Sequence, residues 1–479
     1  MLDWRVRVDV GGTFTDGWAL SPKGEQLKCK VLSSGVVRLE VVSNEEGWLF
    51  CGKSIGPQQT GLEGFRTRDG HFVVESNPKE GRLRLSEQID LRGDLELFTG
   101  EESAVVATRL LTGVGVGGEF PALDLRVATT RATNALLEGK GQPVDLITTK
   151  GFEDLLKIRD QRRPDIFELS PQFSIPITRK IYGVQGRFDR QGHLLESLSK
   201  EDMEGIDPKR AVAVALIHSD CCPNHELEIA EILAKKGCEN VSLSHQLAPM
   251  IRLWPRMETA VANAYLSPII FDFIKKLREA FTKSPVSLMT SSGHLKAAEG
   301  YRPIDSLLSG PAGGVSGAYA SALSAGLSNV LTFDMGGTST DVARISGRPH
   351  YRYEQEVGPV KVLTPAIKIE TVAAGGGSIC QFRNGGLEVG PESAGSNPGP
   401  ACYGRGGPLT ITDVNLLLGL MDEKKAGIPL IRKDAEARLQ ELCQVIGAQC
   451  DPQNLLQGLR HLAISQMADA LRLVSTREG

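Results

Sequence analysis

At 479 residues, with a formal net charge of −4 and a pI near 6.1, the chain can bury a large core and carries no charge excess that would draw nucleic acid or an anionic membrane. No run of about 18 uninterrupted apolar residues marks a membrane helix, and the opening MLDWRVRVDV lacks the apolar stretch and cleavage site of a signal peptide. Nine scattered cysteines suit reduced thiols better than a disulfide framework, so a cytoplasmic protein of roughly two to four domains is expected.

The apolar run RVRV at 5–8 leads into DVGGTFTD at 9–16, which reads as a strand, an acidic residue, a glycine turn and a second strand. Gly11 and Gly12 allow the main chain to approach a ligand closely. Thr13 and Thr15 offer hydroxyls beside freed N–H groups, a lining suited to phosphate oxygens, and Asp16 closes the motif. Asp9, at the strand end, can hold a hydrated Mg²⁺, which takes only one or two carboxylates. Residues 35–105 are turn-rich with short β-like runs (VVRLEVV, WLFCG, HFVVE, RLRL) and predict a small β-rich insert packed on the first sheet. ATTRATNALLEG at 128–139 reads as a turn into a helix capped by Thr133 or Asn134, with Arg131 and Asn134 as candidate substrate contacts. VDLITT at 144–149 predicts a buried strand and FEDLLKI a helix, followed by Arg159, Arg162, Arg163 and Asp165. Such a guanidinium cluster either takes a substrate carboxylate bidentately or forms a solvated charged face.

AVAVALIHS at 211–219 predicts a second apolar strand. In HSDCCPNHE at 218–226 the spacing of His218, Cys221, Cys222 and His225 is not that of a common zinc site, which favours a core histidine and buried thiols. An amphipathic helix over 224–237, a long helical pattern over 257–282 and a strand at VSLMTSSG, 286–293, come next. SGPAGGVSGA at 309–318 opens a small-residue helix, where Gly310, Gly313 and Gly314 either present unpaired N–H groups to an anion or permit tight packing. NVLTF at 329–333 then leads into DMGGTSTD at 334–341, about 325 residues after its twin. Gly336, Gly337, Thr338, Ser339, Thr340 and Asp341 repeat the first hairpin's chemistry, and Asp334 repeats Asp9. Gly375, Gly376 and Gly377 in GGGS either line a nucleotide pocket or turn the chain. Residues 384–407, dense in Gly and Pro, read as a functional loop in which Cys402 is either a nucleophile, given a nearby base, or, as the flanking glycines favour, part of a structural turn. Asp413, ending the β-like TITD, can orient an acceptor or a metal-bound water, or cap the next helix.

Strands alternating with helices make the class α/β. Nothing matches GxxxxGK[ST], which argues against a P-loop enzyme. Two glycine hairpins gripping phosphates from two related half-domains resemble the actin-like ATPase and sugar kinase superfamily. The ordered motifs ATTRATNALLEGKG (128–141), LITTKGFEDLL (146–156), NAYLSP (263–268), LLSGPAGGVSGA (307–318), TVAAGGGSI (371–379) and NPGPACYGRGGPLTITDVNLLLG (397–419) narrow this. Together they resemble the hydantoinase A / ATP-dependent 5-oxoprolinase family, with departures at Val127-Ala128, where the family often has His-Gly, and at Ala373, where it usually has glycine.

The resemblance implies an N-terminal hydantoinase/oxoprolinase domain over 1–205 and a hydantoinase A core over 206–479. It implies ATP-dependent hydrolysis of a cyclic amide, foremost 5-oxo-L-proline to L-glutamate, through phosphoryl activation of the lactam carbonyl. Asp9, Asp334 and Asp413 would serve the chemistry, with ATP and Mg²⁺ as cofactors, room for a monovalent cation such as K⁺, and a hydantoinase B-type companion half, fused or separate. A hydantoin hydrolase or the ATPase subunit of a ketone carboxylase shares these motifs, and an actin-type nucleotide switch is the non-enzymatic alternative. The chain ends at LRLVSTREG, where the family continues, so a truncated or split product with poor activity alone is expected.

Overall fold

The computed structural model describes residues 4–12, 14–51, 61–77, 80–161, 167, 177–358, 360–395, 398–423, 430–447 and 449–476. Thr13, Arg162, Arg163 and Asp165, singled out above, lie outside the described residues. The chain packs as two compact units, one of residues 1–313 with 352–366 and one of 314–351 with 367–479.

These units do not divide at residue 205. Strands Val212–Ala215 and Val241–Leu243 lie in one sheet with Val144–Thr149, and the helix Leu253–Ala280 packs on Val212–Ala215. Residues 206–313 therefore share a core with what precedes them.

In the first unit a six-stranded sheet runs in the order Leu295–Ala297, Val286–Met289, Leu123–Thr129, Trp4–Val10, Phe14–Leu20, Gln26–Leu32. Period-2 alternation buries Val6, Val8 and Val10 and leaves Asp9 on the other face. Helix Ser103–Thr112, buried along nearly its whole length, covers the antiparallel strands of this sheet. The β-rich insert is present as a five-stranded sheet: Val73–Asn77, Arg82–Leu85, Trp48–Cys51, Val36–Glu45, Gly93–Phe98. Its Val37, Leu39 and Leu97 join the same apolar core as the first sheet.

A second sheet of four parallel strands runs Thr178–Val184, Val144–Thr149, Val212–Ala215, Val241–Leu243. VDLITT and VAVA are buried at every position, as expected where both faces of a parallel sheet are covered. The 28-residue helix Leu253–Ala280 spans about 42 Å.

The second unit is built on the hairpin of Asn329–Met335 and Thr340–Ser346, extended by Ile369–Val372. Helices Ile411–Leu417, Arg432–Ile446 and Pro452–Thr476 close its core on Cys380, Val389 and Leu409. Among the described residues no helix is long and apolar enough to cross a membrane.

Candidate functional site

The first hairpin turns where a Cβ has no room. Gly11 N–H donates to Phe14 O at 3.0 Å, and a Cβ on Gly11 would stand 2.8 Å from that same oxygen. Ser33 Oγ donates to Gly11 O at 2.7 Å, fixing the turn from the third strand. A Cβ on Gly12 would lie 3.0 Å from Asn134 Nδ2, so the glycine lets the chain pass against the helix Arg131–Leu137. That helix follows directly on strand Leu123–Thr129, with Thr130 as its cap residue. Thr133 and Asn134 thus sit inside the helix and do not cap it. Instead Thr133 Oγ1 accepts from Leu308 N–H at 3.0 Å, and Ser309 Oγ donates to Thr129 O at 2.9 Å. These bonds set the start of the helix Ser309–Ser324 beside Asp9: a Cβ on Gly310 would be 3.4 Å from Thr130 Cγ2 and 3.9 Å from Asp9 Oδ1. Freed N–H groups at a helix start beside such a turn suit an anion. Gly313 faces Met289, and Gly314 has nothing within 4 Å of an added Cβ.

The second hairpin repeats the closing backbone bond of the first. Gly336 N–H donates to Ser339 O at 2.9 Å, the counterpart of Gly11 to Phe14. Asp334 pairs with Asp341 as Asp9 pairs with Asp16. The GGGS segment is packed onto this turn: Gly376 N–H donates to Gly336 O at 3.0 Å and Gly377 N–H to Gly337 O at 2.6 Å. A Cβ on Gly375 would stand 2.8 Å from Gly336 O, Ser339 N and Thr338 C, all backbone atoms. Gly337 and Thr338 stay exposed, and an added Cβ on Gly337 would meet nothing within 4 Å. Asp334 is exposed as well. Burial, reinforced by the charge of Asp334, pushes the Asp341 carboxyl above its ordinary range, although Thr371 Oγ1 donates to it at 2.6 Å.

Several expected site residues are engaged elsewhere. Thr15 and Thr340 are both fully buried: Thr15 Oγ1 donates to Ser103 Oγ at 2.8 Å and Thr340 Oγ1 to Ala374 O at 2.5 Å. Strand alternation turns them away from the face that carries the aspartates, so they do not line a phosphate. Asp16 pairs with Lys30 at 2.6 and 2.8 Å in solvent. Asp413 is a structural anchor, not a catalytic acid. It is fully buried and accepts from Ala401 N–H, Cys402 N–H, Thr410 N–H and Thr410 Oγ1 at 2.7–3.1 Å. It forms a capping box with Thr410, so TITD opens a helix instead of ending a strand. Cys402, fully buried, has its thiol pushed up by burial and by Asp413, which fits its structural reading. Cys221, by contrast, is exposed and not a buried thiol.

Of the substrate candidates, Arg131 and Arg159 do not converge. Arg131 is ion-paired with Glu102 and lies over the Phe273 ring; with Lys276, Ser33 and Ser103 it lines a cavity of about 550 Å³. Arg159 meets Glu258 and Trp254 instead. Glu258 and Phe273 belong to one helix, 15 residues and so about 22 Å apart. Residues missed in the sequence include Ser33 and Ser103. The Ser33-Ser34 pair directly after the third strand was their one local signal.

Residues 121–237 match the family model described as Hydantoinase/oxoprolinase N-terminal region, and residues 256–479 the one described as Hydantoinase/oxoprolinase. The chain is similar to 5-oxoprolinase 1 of Arabidopsis thaliana, 40% identical over 329 residues that cover 62% of this chain and 26% of that protein. It therefore spans about a quarter of that relative's length. Similarity to the caprolactamase subunit alpha of Pseudomonas jessenii is 32% over 377 residues, 73% of this chain and 54% of that subunit. The nucleotide-free structure of acetone carboxylase superposes with a TM-score of 0.70 at 18% identity, covering all of this chain and 64% of that one. The expected α/β fold of actin-like ATPase type, with two related halves and a β-rich insert, is borne out.

Proposed function

Since this chain belongs to the hydantoinase/oxoprolinase family, we propose that it drives the ATP-dependent hydrolysis of a cyclic amide, with 5-oxo-L-proline opened to L-glutamate. The observation that carries this reading is the duplicated hairpin. Asp9 and Asp334 occupy the same register position, each two residues before a glycine turn closed by the same backbone bond.

The donor set fits Mg²⁺. Among the described residues no three His, Cys, Asp or Glu side chains converge into a metal cage, and Mg²⁺ asks for one or two carboxylates and keeps its waters. Asp9 in its hairpin and Asp334 in its own are each such a carboxylate, and a bound Mg²⁺ would offset charge on the phosphate oxygens. The chain's own part is positioning. The exposed main chain at Gly337 and Thr338, and separately the start of helix Ser309–Ser324 beside Asp9, would each offer N–H donors to phosphate. Phosphoryl transfer rests chiefly on such placement and charge stabilisation. The γ-phosphoryl would leave ADP for the lactam carbonyl oxygen, one water would add to the activated carbon as the ring C–N bond opens to a free amine and an acyl phosphate, and a second water would release phosphate and leave the carboxylate. Ring opening is assigned to a hydantoinase B-type companion half, fused or separate; the Pseudomonas relative's designation as a subunit alpha supports a partner.

The test is release of ADP and phosphate with 5-oxoproline, a hydantoin, or acetone plus bicarbonate, each with and without the companion. Stimulation by 5-oxoproline with matching glutamate formation is expected. Stimulation by acetone plus bicarbonate alone would overturn the substrate assignment. An ATP-dependent rise in light scattering, with no stimulation, would favour a filament-forming switch.

A further inference from the structure

The last two helices of the second unit meet at a tight turn with a cysteine on either side. Cys443 lies in the final turn of helix Arg432–Ile446, and Cys450 stands just before helix Pro452–Thr476. Gly447 N–H donates to Cys443 O at 3.0 Å, and Cys450 N–H donates to Gly447 O at 3.1 Å. Gly447 has a φ of 115°, which a residue with a side chain rarely adopts, and the helix ends there. Asp451 opens the next helix, its carboxylate accepting Gln453 N–H at 3.3 Å and Asn454 N–H at 3.2 Å.

The two thiols meet across this turn. Cys450 Sγ donates to Cys443 Sγ at 3.0 Å, and neither cysteine is in a disulfide. An S–S bond is about 2.05 Å long, so the sulfurs need to approach by only about 1 Å to join. Both residues are half-buried and pack against the apolar cluster that includes Leu439, Leu455 and Leu456. Cys29, Cys51, Cys238, Cys380 and Cys402 are buried outright, and the exposed Cys221 turns its thiol to His218 O at 3.2 Å.

We propose that Cys443 and Cys450 form a reversible dithiol–disulfide site, oxidised by a low-molecular-weight disulfide, that staples the last two helices together. Burial, and Cys450 beside it, push the Cys443 thiol up to about 11, so at neutral pH it stays protonated and is a poor attacking group. Cys450 therefore reacts first. It gives its proton to solvent, and its thiolate attacks one sulfur of the small disulfide and expels the other, which leaves a mixed disulfide on Cys450. Cys443, held 3.0 Å away, passes its proton to the expelled thiolate, attacks the Cys450 sulfur and releases the second small thiolate, which takes a proton from solvent. Two electrons pass from the protein's thiols to the small disulfide, which leaves as two thiols.

The cross-link closes a ring from residue 443 to residue 450, and such a ring stabilises chiefly by restricting the unfolded chain. It also anchors an element that the second hairpin leans on. Helix Pro452–Thr476 packs on strands Thr340–Ser346 and Ile369–Val372, the first a strand of that hairpin and the second its extension. The redox state of the cysteine pair thus sets how firmly this support is held. The site is independent of the proposed ATP chemistry and stands if that reading fails.

The experiment equilibrates the full chain in buffers of graded reduced-to-oxidised glutathione ratio, blocks free thiols by alkylation and maps tryptic peptides by mass spectrometry. The peptide 439–460 contains Cys443, Cys450 and no other cysteine. At the oxidising end it should appear two hydrogens lighter and without alkyl groups, a change that dithiothreitol reverses. Closure should raise the melting temperature by about 5 °C over the reduced chain. Cys450→Ser and Cys443→Ser should each abolish that rise, and Cys443→Ser should trap glutathione on Cys450. Alkylation of both cysteines at every ratio would overturn the proposal. So would a disulfide from either one to another cysteine, closure with no rise in melting temperature, or a Cys443→Ser chain whose Cys450 stays free of glutathione.

Discussion

Asp334 stands directly across its hairpin from Asp341, whose other cross-strand neighbour is Thr371. Directly opposed residues share a face, with Cβ atoms about 5 Å apart, so two full negative charges there repel. The hairpins relieve this differently. In the second unit Asp341 is partly buried and its carboxyl is pushed up, by burial first and by Asp334 after it. In the first, Asp16 opposite Asp9 is offset by Lys30. Each hairpin thus sets an exposed aspartate, Asp9 or Asp334, beside a partner whose charge is compensated by Lys30 or weakened by burial.

Asp9→Asn and Asp334→Asn should therefore each lower ATP turnover by about 100-fold or more, the usual scale for one lost electrostatic contribution at a reacting phosphate. Steady-state ADP release is the measurement, with circular dichroism to establish folding. Near-normal turnover in either folded variant would remove that aspartate from the metal site.

Two glycines separate ligand approach from packing. An added side chain on Gly337 meets no protein atom within 4 Å, so Gly337→Val should fold normally yet bind Mg·ADP poorly in calorimetric titration. A Cβ on Gly375 would press within 2.8 Å of three backbone atoms of the hairpin, so Gly375→Ala should lower the melting temperature even without nucleotide. Equal affinity in Gly337→Val and wild type would reduce that turn to an ordinary one.

Much of this was readable in the chain. The two DxGGTxTD motifs gave both hairpins, and VVRLEVV, WLFCG, HFVVE and RLRL each became a strand of the insert. The direction of Thr15 and Thr340 was also there: period 2 puts each opposite its neighbouring aspartate, in the interior. β-Branched TITD looked like a strand, while the T-x-x-D spacing of Thr410 and Asp413 carried the capping box that prevailed. The separation of Arg159 from Arg131 was not local information. It depends on which strands pair and on one long helix that holds the two arginines' partners far apart.

Asp413→Asn should act on stability. The amide has one acceptor oxygen where the carboxylate uses two, leaving at least one of four buried donors unpaired. That costs about 1–3 kcal/mol, to be read from chemical denaturation. Turnover per folded molecule should change little. A large loss of turnover at unchanged stability would restore a catalytic role.

Glu258 should give the chain a pH-dependent stability of defined sign. Its carboxyl is raised from an ordinary 4.5 to about 7, mainly by burial and in spite of Arg159 and Lys361. Below pH 4.5 the group is protonated in both folded and unfolded chains and contributes no slope. Between 4.5 and about 7 the unfolded chain ionises first, so the folded chain holds more protons and stability falls as pH rises. Above about 7 both forms are charged and the full penalty, about 3 kcal/mol, persists. Glu258→Gln keeps an acceptor for Lys361 N–H and cannot ionise, so this component of the slope should disappear and the variant should gain on wild type as pH rises. Urea denaturation of both proteins at pH 5, 6, 7 and 8 measures the difference. Parallel curves for the two proteins across that range would show that Glu258 is ionised in the folded chain throughout, its charge fully met by Arg159 and Lys361.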